Sequence, residues 1–418
     1  MAAIEIRDLY KIFGAHPKRV FPMLEKGMTR EQILEKSGNT VAINGVSFSI
    51  EEKEICVVMG LSGSGKSTLI RCLNRLVDPT RGEILVNGKN IMEMDKQELL
   101  DMRRKTMSMV FQNFGLLPNR TVVDNVEFGM EVGGMEKQQR RKKAMEALDV
   151  VGLNGYEESY PHELSGGMKQ RVGLARALAN DPEVLLMDEA FSALDPLIRS
   201  QMQDELLDIQ ARLHKTIVFI THDLDEALNL GDRIVMLGPD GKIRQIGTPE
   251  EILSEPADEY VAAFVQNVDR TKVLTAGTIM HRYPSVTVPR EGCSSAVRTM
   301  EKTGVSYVLA VDGERRLLGI ITIDDAVEMR KQKNRDVMKL VRDDVFTTQK
   351  ETSIYDLLAT AIETQYPIAV VNDQGKLIGA VDRSTIIGEV NKLTNDEDSP
   401  TVLSELNNGT EEHMRNDA

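Results

Sequence analysis

The chain is 418 residues long, carries a formal net charge of −14 and is 41% hydrophobic. That length predicts two or three cores rather than one. The acidity argues against a nucleic-acid partner, which needs a basic surface to displace phosphate counterions. No run of 18 apolar residues is present to span a bilayer, and the charged start MAAIEIRDLYKIFG is not a secretory signal, so a cytoplasmic chain is expected.

In chain order, IEIRDLYKIFG alternates and predicts an edge strand. Residues 15–39 form an insert in which Met23, Leu24, Ile33 and Leu34 fall at helical spacing, with Gly38 as the stop. VAINGVSFSI alternates again, and EICVVMG is a short apolar strand entering a glycine-rich turn. The scattered cysteines Cys56, Cys72 and Cys293 lack metal-ligand spacing and read as buried small hydrophobes.

GLSGSGKS, Gly60 to Ser67, fits the phosphate-loop pattern and lies between that strand and the helix TLIRCLNRL. The pattern predicts an ATP site formed by Gly60, Leu61, Ser62, Gly63, Ser64, Gly65, Lys66, Ser67 and Thr68. Glycines let the backbone approach the phosphates, and the helix start adds partial positive charge. Lys66 supplies a cation for the β and γ phosphates, and the Ser67 hydroxyl suits Mg²⁺.

Up to about Gly247, short β-branched runs mix with longer amphipathic helices, as in an α/β domain. LLMD and TIVFIT read as buried parallel strands, apolar throughout because both faces are covered. LLMDE delivers Asp188 to the Mg²⁺ shell and Glu189 as the base that polarises water.

A repeat with a period of roughly 60 follows Asp269, over residues 273–331 and 334–392. Val311-Asp312 aligns with Val371-Asn372, and Gly319 with Gly379. Each copy reads helix, strand, helix, strand, turn, strand, helix. Residues 395–418 are polar and acidic and read as a mobile tail.

LSGGMKQR, Leu164 to Arg171, resembles the signature motif of the ABC ATPase family. SALD, Ser192 to Asp195, resembles its D-loop. VFQNFGLLP puts Gln112 at the Q-loop, THD puts His222 at the switch histidine, and Phe13 sits where the family stacks an aromatic on adenine. Core packing at a strand end is the alternative for Phe13. The resemblance over residues 1–268 implies a P-loop NTPase fold: a RecA-like core plus a helical subdomain. It implies a head-to-tail homodimer in which Ser165, Gly166, Gly167 and Met168 close over the partner's ATP, with Asp195 in the D-loop. Gln112 would reach the metal or water, and His222 would hold the γ-phosphate geometry.

The wording LSGGMKQRVGLARAL and MDEAFSALDPLIR, with Met168 and Ala190 at family-variable places, is closest to ATPase subunits of glycine betaine/proline importers. The insert resembles that branch's N-terminal extension, and the repeat resembles a tandem CBS pair, an α+β module. The implied partners are integral-membrane permease subunits and an extracytoplasmic substrate-binding protein or domain, with the chain peripheral on the cytoplasmic membrane face. Alternatives are the ATPase of another amino-acid importer, such as a methionine system, or a soluble ABC ATPase outside transport. By analogy, Tyr366, Ile368 and Arg383 would contact cyclic di-AMP or another adenine nucleotide. Arg330, Lys331, Lys333 and Arg335 cluster between the copies and read as a solvated helix end rather than a lipid-binding patch.

Overall fold

The computed structural model describes residues 2–112, 114–266, 274–331 and 337–388. The chain divides into two compact units, Met1–Val265 and Gln266–Ala418. The tail at residues 395–418, and Lys333 and Arg335 of the basic cluster, lie outside the described residues.

The first unit holds two sheets. In the six-stranded sheet the order is Ile243–Gly247, Arg233–Leu237, Ile55–Met59, Thr216–Thr221, Val184–Asp188, Met107–Val110. All neighbours are parallel except the first pair. LLMD and TIVFIT are buried parallel strands, as their unbroken apolar runs predict. Register keeps the carboxyl ends level: Met59 pairs with Thr221, Asp188 with Ile220 and Val110 with Met187. The residues that follow these four ends are thereby gathered along one sheet edge, where open parallel sheets bind ligands.

The second sheet runs Thr40–Glu51, Ala2–Phe13, Arg81–Val86, Lys89–Asn90. Ala2–Phe13 is therefore an interior strand, paired on both sides, and not the edge strand its alternation suggested. Alternation reports which face is buried and says nothing about which edges are paired.

The insert is not one helix. It comprises a 3-10 turn at Pro17–Val20 and helices Phe21–Glu25 and Arg30–Ser37, broken at Gly27, whose φ is 73°. Gly38 is the stop, in the left-handed conformation with φ 63°. Val20 and Ile33 are fully buried with Ile12 and Val41, whereas Leu34 is 50% exposed. Helices Val122–Val132, Lys137–Val150 and Gly166–Leu178 pack on one another as a helical subdomain.

The second unit confirms the repeat strand by strand. One three-stranded sheet orders Ser285–Thr287, Tyr307–Val311, Leu317–Thr322, and the other Thr347–Thr348, Ile368–Val371, Leu377–Val381. Each has a parallel pair followed by an antiparallel pair. Gly319 pairs with Ala310 and Gly379 with Val370, with a register shift one residue later in both. The copies are cross-linked reciprocally: Leu317 N–H donates to Gly375 O at 3.1 Å, and Leu377 N–H to Arg315 O at 2.9 Å.

Candidate functional site

Strand Ile55–Met59 is buried along its whole length and runs into Gly60. Gly60 and Gly65 have φ of 152° and 106°, and a Cβ at either would collide with backbone oxygens of Leu237 or Ala42. Only glycine fits both the conformation and the approach. Helix Lys66–Leu73 starts at Gly65 with no side-chain cap, while Asp95, Thr121, Ser165, Asp195 and Asp223 cap other helices. Its first N–H groups have no acceptor within the helix. An uncapped positive helix end beside a glycine loop is an anion site. The buried Ser64 Oγ has no partner among the described residues.

Lys66 is 5% exposed and donates from Nζ to Gly60 O at 2.8 Å and Leu61 O at 3.1 Å. Those bonds fix the ammonium and leave its third proton for a ligand. Burial holds this lysine below its ordinary range, against the opposing pull of Glu189 and Asp188.

Glu189 is the hub. Its Oε1 lies 3.9 Å from Lys66 Nζ and 3.6 Å from His222 Nδ1. Its Oε2 accepts from Gln112 Nε2 at 3.3 Å, and the same amide donates to Ser192 Oγ at 3.3 Å. Glu189 adopts φ 47°, a strained conformation for a side chain with a Cβ. The strand end thus turns sharply, leaving Asp188 3% exposed beneath the site. The Arg71 guanidinium lies 3.1 Å from Asp188 Oδ2. Ser67 and Thr68 sit in the first turn of the helix, half-buried. Hard oxygen donors from Ser67, Asp188 and Gln112 are a set suited to Mg²⁺.

Phe13 closes its strand with a 43% exposed ring, so core packing does not account for it. Lys11 Nζ lies 4.7 Å from its centroid. Ser165 caps helix Gly166–Leu178, its Oγ accepting from Met168 N–H at 3.3 Å and retaining its own proton to donate. Gly166 and Gly167 form that helix's first turn. Asp195 caps the next helix through Ile198 N–H at 3.1 Å.

Arg176, Tyr260 and Arg71 escaped the sequence reading. Arg176, near the end of the signature helix, donates to Phe114 O at 2.9 Å and Gly115 O at 2.5 Å, tying that helix to the loop after Gln112. Tyr260 accepts from Leu61 N–H at 3.3 Å and donates to Leu237 O at 3.0 Å. Arg71 pairs with Asp188 from 117 positions away. No local motif announces a contact at such separations.

In the second unit a cleft of about 760 Å³ is lined by His281, Tyr283, Tyr307, Tyr366, Asp382 and Arg383, among others. Tyr307 and Tyr366 meet edge to face at 5.6 Å. Tyr366 and Arg383 line this cleft; Ile368 does not. Ile368 is fully buried in the core around Leu357 and Val381, because strand alternation turns it away.

An ABC transporter family profile matches residues 43–192, and a CBS domain profile matches residues 276–331 and 335–392. The glycine betaine/carnitine transport ATP-binding protein GbuA of Listeria monocytogenes is 50% identical over 93% of this chain and 97% of its own. The glycine betaine transport ATP-binding protein OpuAA of Bacillus subtilis is 49% identical over 92% and 91%. A dimeric bacterial ABC transporter cassette superimposes with a TM-score of 0.50 at 32% identity, covering 59% of this chain and 98% of that one. The chain therefore belongs to the ATP-binding subunits of ABC transporters, in the form that carries a tandem CBS module after the ATPase domain.

Proposed function

We propose that the chain energises an importer for glycine betaine and related quaternary amines, and that the residues around Glu189 perform the hydrolysis. The carrying observation is the convergence of Lys66, Gln112 and His222 on one strained carboxylate. The substrate class rests on the names of the relatives, whose similarity extends over both units. The chain docks peripherally on permease subunits at the cytoplasmic face, and a substrate-binding protein or domain delivers the amine outside. No helix among the described residues is long and apolar enough to cross a membrane.

Lys66 and the N–H groups opening helix Lys66–Leu73 hold the β and γ phosphates, with Phe13 stacked on adenine. Ser67, Asp188 and Gln112 would hold Mg²⁺, which would neutralise developing phosphate charge. Glu189 accepts the proton of the attacking water; His222 and Gln112 keep carboxylate and water aligned. Ser165, with the amides of Gly166, Gly167 and Met168, donates to the γ-phosphate held by a second copy, and Asp195 lies at the seam. ATP binding then favours the closed homodimer, and hydrolysis removes that bias. In the CBS cleft, Tyr366 and Arg383 supply a ring for an adenine base and a cation for a phosphate, the chemistry of cyclic di-AMP or a similar nucleotide. The test is uptake of labelled glycine betaine by the reconstituted complex, with proline, choline and carnitine as competitors. Uptake driven by ATP and blocked by a quaternary competitor is expected; no ATP-driven uptake of the labelled betaine rules the assignment out.

A further inference from the structure

Residues 15–39 pack on the second sheet, against Ile12 and Val41, and one of their side chains reaches the phosphate loop. Arg30 is the first residue of helix Arg30–Ser37, which begins with a complete capping box: Thr29 Oγ1 accepts from Gln32 N–H, and Gln32 Oε1 accepts from Thr29 N–H. Ile33, fully buried, anchors the helix against Val20 and Val41. The Arg30 guanidinium bridges three backbone carbonyls from three separate segments. Nη1 donates to Gly63 O at 3.2 Å and to Pro239 O, and Nη2 donates to Ala42 O at 2.6 Å. The turn Gly238–Gly241 makes room for it: a Cβ on Gly241, where φ is 72°, would overlap Arg30 Nη2.

The geometry assigns to Arg30 the role of a positioning residue that presets the phosphate loop for ATP. Gly63 is at the loop's exposed crest with φ 80°. In a trans peptide the Gly63 carbonyl and the Ser64 N–H point in opposite directions. Arg30 holds the carbonyl, and Leu61 O accepts the Ser64 N–H at 3.2 Å. That peptide plane is fixed at both ends before any nucleotide arrives. Leu61 is itself held, its N–H by Tyr260 and its carbonyl by Lys66. With the crest locked, the following N–H groups are aimed without a further ordering cost on binding. A planar fork suits this task, since it offers several donors in fixed directions, whereas an ammonium offers one point charge. The insert is thereby an ATP-affinity element rather than surface ornament.

The inference rests on the loop being the ATP site, so an unaltered chain that binds no ATP would sink that reading first. ATP binding is measured by calorimetry on the full-length chain, and kcat and KM on the reconstituted complex. Arg30→Gln is expected to weaken ATP binding about tenfold and raise KM to match, leaving kcat near its original value, the pattern of lost uniform binding. Arg30→Lys should recover part of that loss, and Leu34→Ala, on the exposed face of the same helix, should change nothing. Unchanged affinity in Arg30→Gln, or a fall in kcat as large as the rise in KM, overturns the assignment. If Arg30→Gln does not fold, Arg30→Lys decides: about threefold weaker binding supports the role, and original affinity refutes it.

Discussion

Gln112 Nε2 donates to Glu189 Oε2 at 3.3 Å across 77 positions of sequence, joining the loop after Met107–Val110 to the end of strand Val184–Asp188. The contact links the segment expected to report to a permease with the carboxylate expected to activate water. Removing the amide in Gln112→Ala should lower ATP turnover by about 10²-fold while ATP affinity changes little, the range for loss of a group that aligns proton transfer. Steady-state hydrolysis and equilibrium binding together check this; retained turnover would remove Gln112 from the site.

Arg176 holds the same loop from below. Arg176→Met strips the donor from the carbonyls of Phe114 and Gly115. A stability loss of about 2 kcal/mol is expected, the scale of an acceptor left unsatisfied. Denaturant unfolding measures it. The variant's ATPase in the complex should also lose its stimulation by external substrate, because the loop no longer moves with the signature helix.

Lys66 gives a pH dependence of definite sign. Burial lowers its pKa, so the ammonium is lost at a less alkaline pH than in an ordinary lysine. For folding, that shift is a cost present while the lysine is charged, and it fades as pH rises from the lowered value to the ordinary one. For ATP the sign reverses. The phosphates favour the charged form, so binding weakens as pH climbs through that window and takes up protons within it. Calorimetry in buffers of differing ionisation enthalpy should register that uptake in alkaline solution, and Lys66→Met should abolish both the binding and the uptake.

The CBS cleft predicts separable control. Deleting residues 271–418 should leave hydrolysis and remove its osmotic or nucleotide control. Arg383→Ala should reproduce the loss of nucleotide control alone. Control that survives in the truncated transporter would locate the sensor elsewhere.

Much of this was legible in the sequence, for a physical reason. The phosphate loop, Asp188 and Glu189 are set by strands whose apolar runs are local and by a backbone that requires glycine. The 60-residue repeat survived as paired registers at Gly319 and Gly379. What stayed hidden was long-range or directional. Alternation could not reveal that Ala2–Phe13 is paired on both sides. Helical spacing over the insert could not see Gly27 dividing it. Ile368 stood one strand position beyond the cleft, and only the pleat decided that it faces the core. Arg30, Arg71 and Tyr260 act on backbone or carboxylate partners far along the chain, where no motif is written.

Glu189 is assigned here as the catalytic base of a site that a second copy completes. The most direct test is single-sample: Glu189→Gln incubated with ATP and Mg²⁺, followed simultaneously for phosphate release and molecular mass. The predicted result is a stable dimer holding two ATP molecules per pair with almost no turnover. Rapid steady-state hydrolysis by that variant, or ATP held by a monomer with no dimer formed, would contradict it.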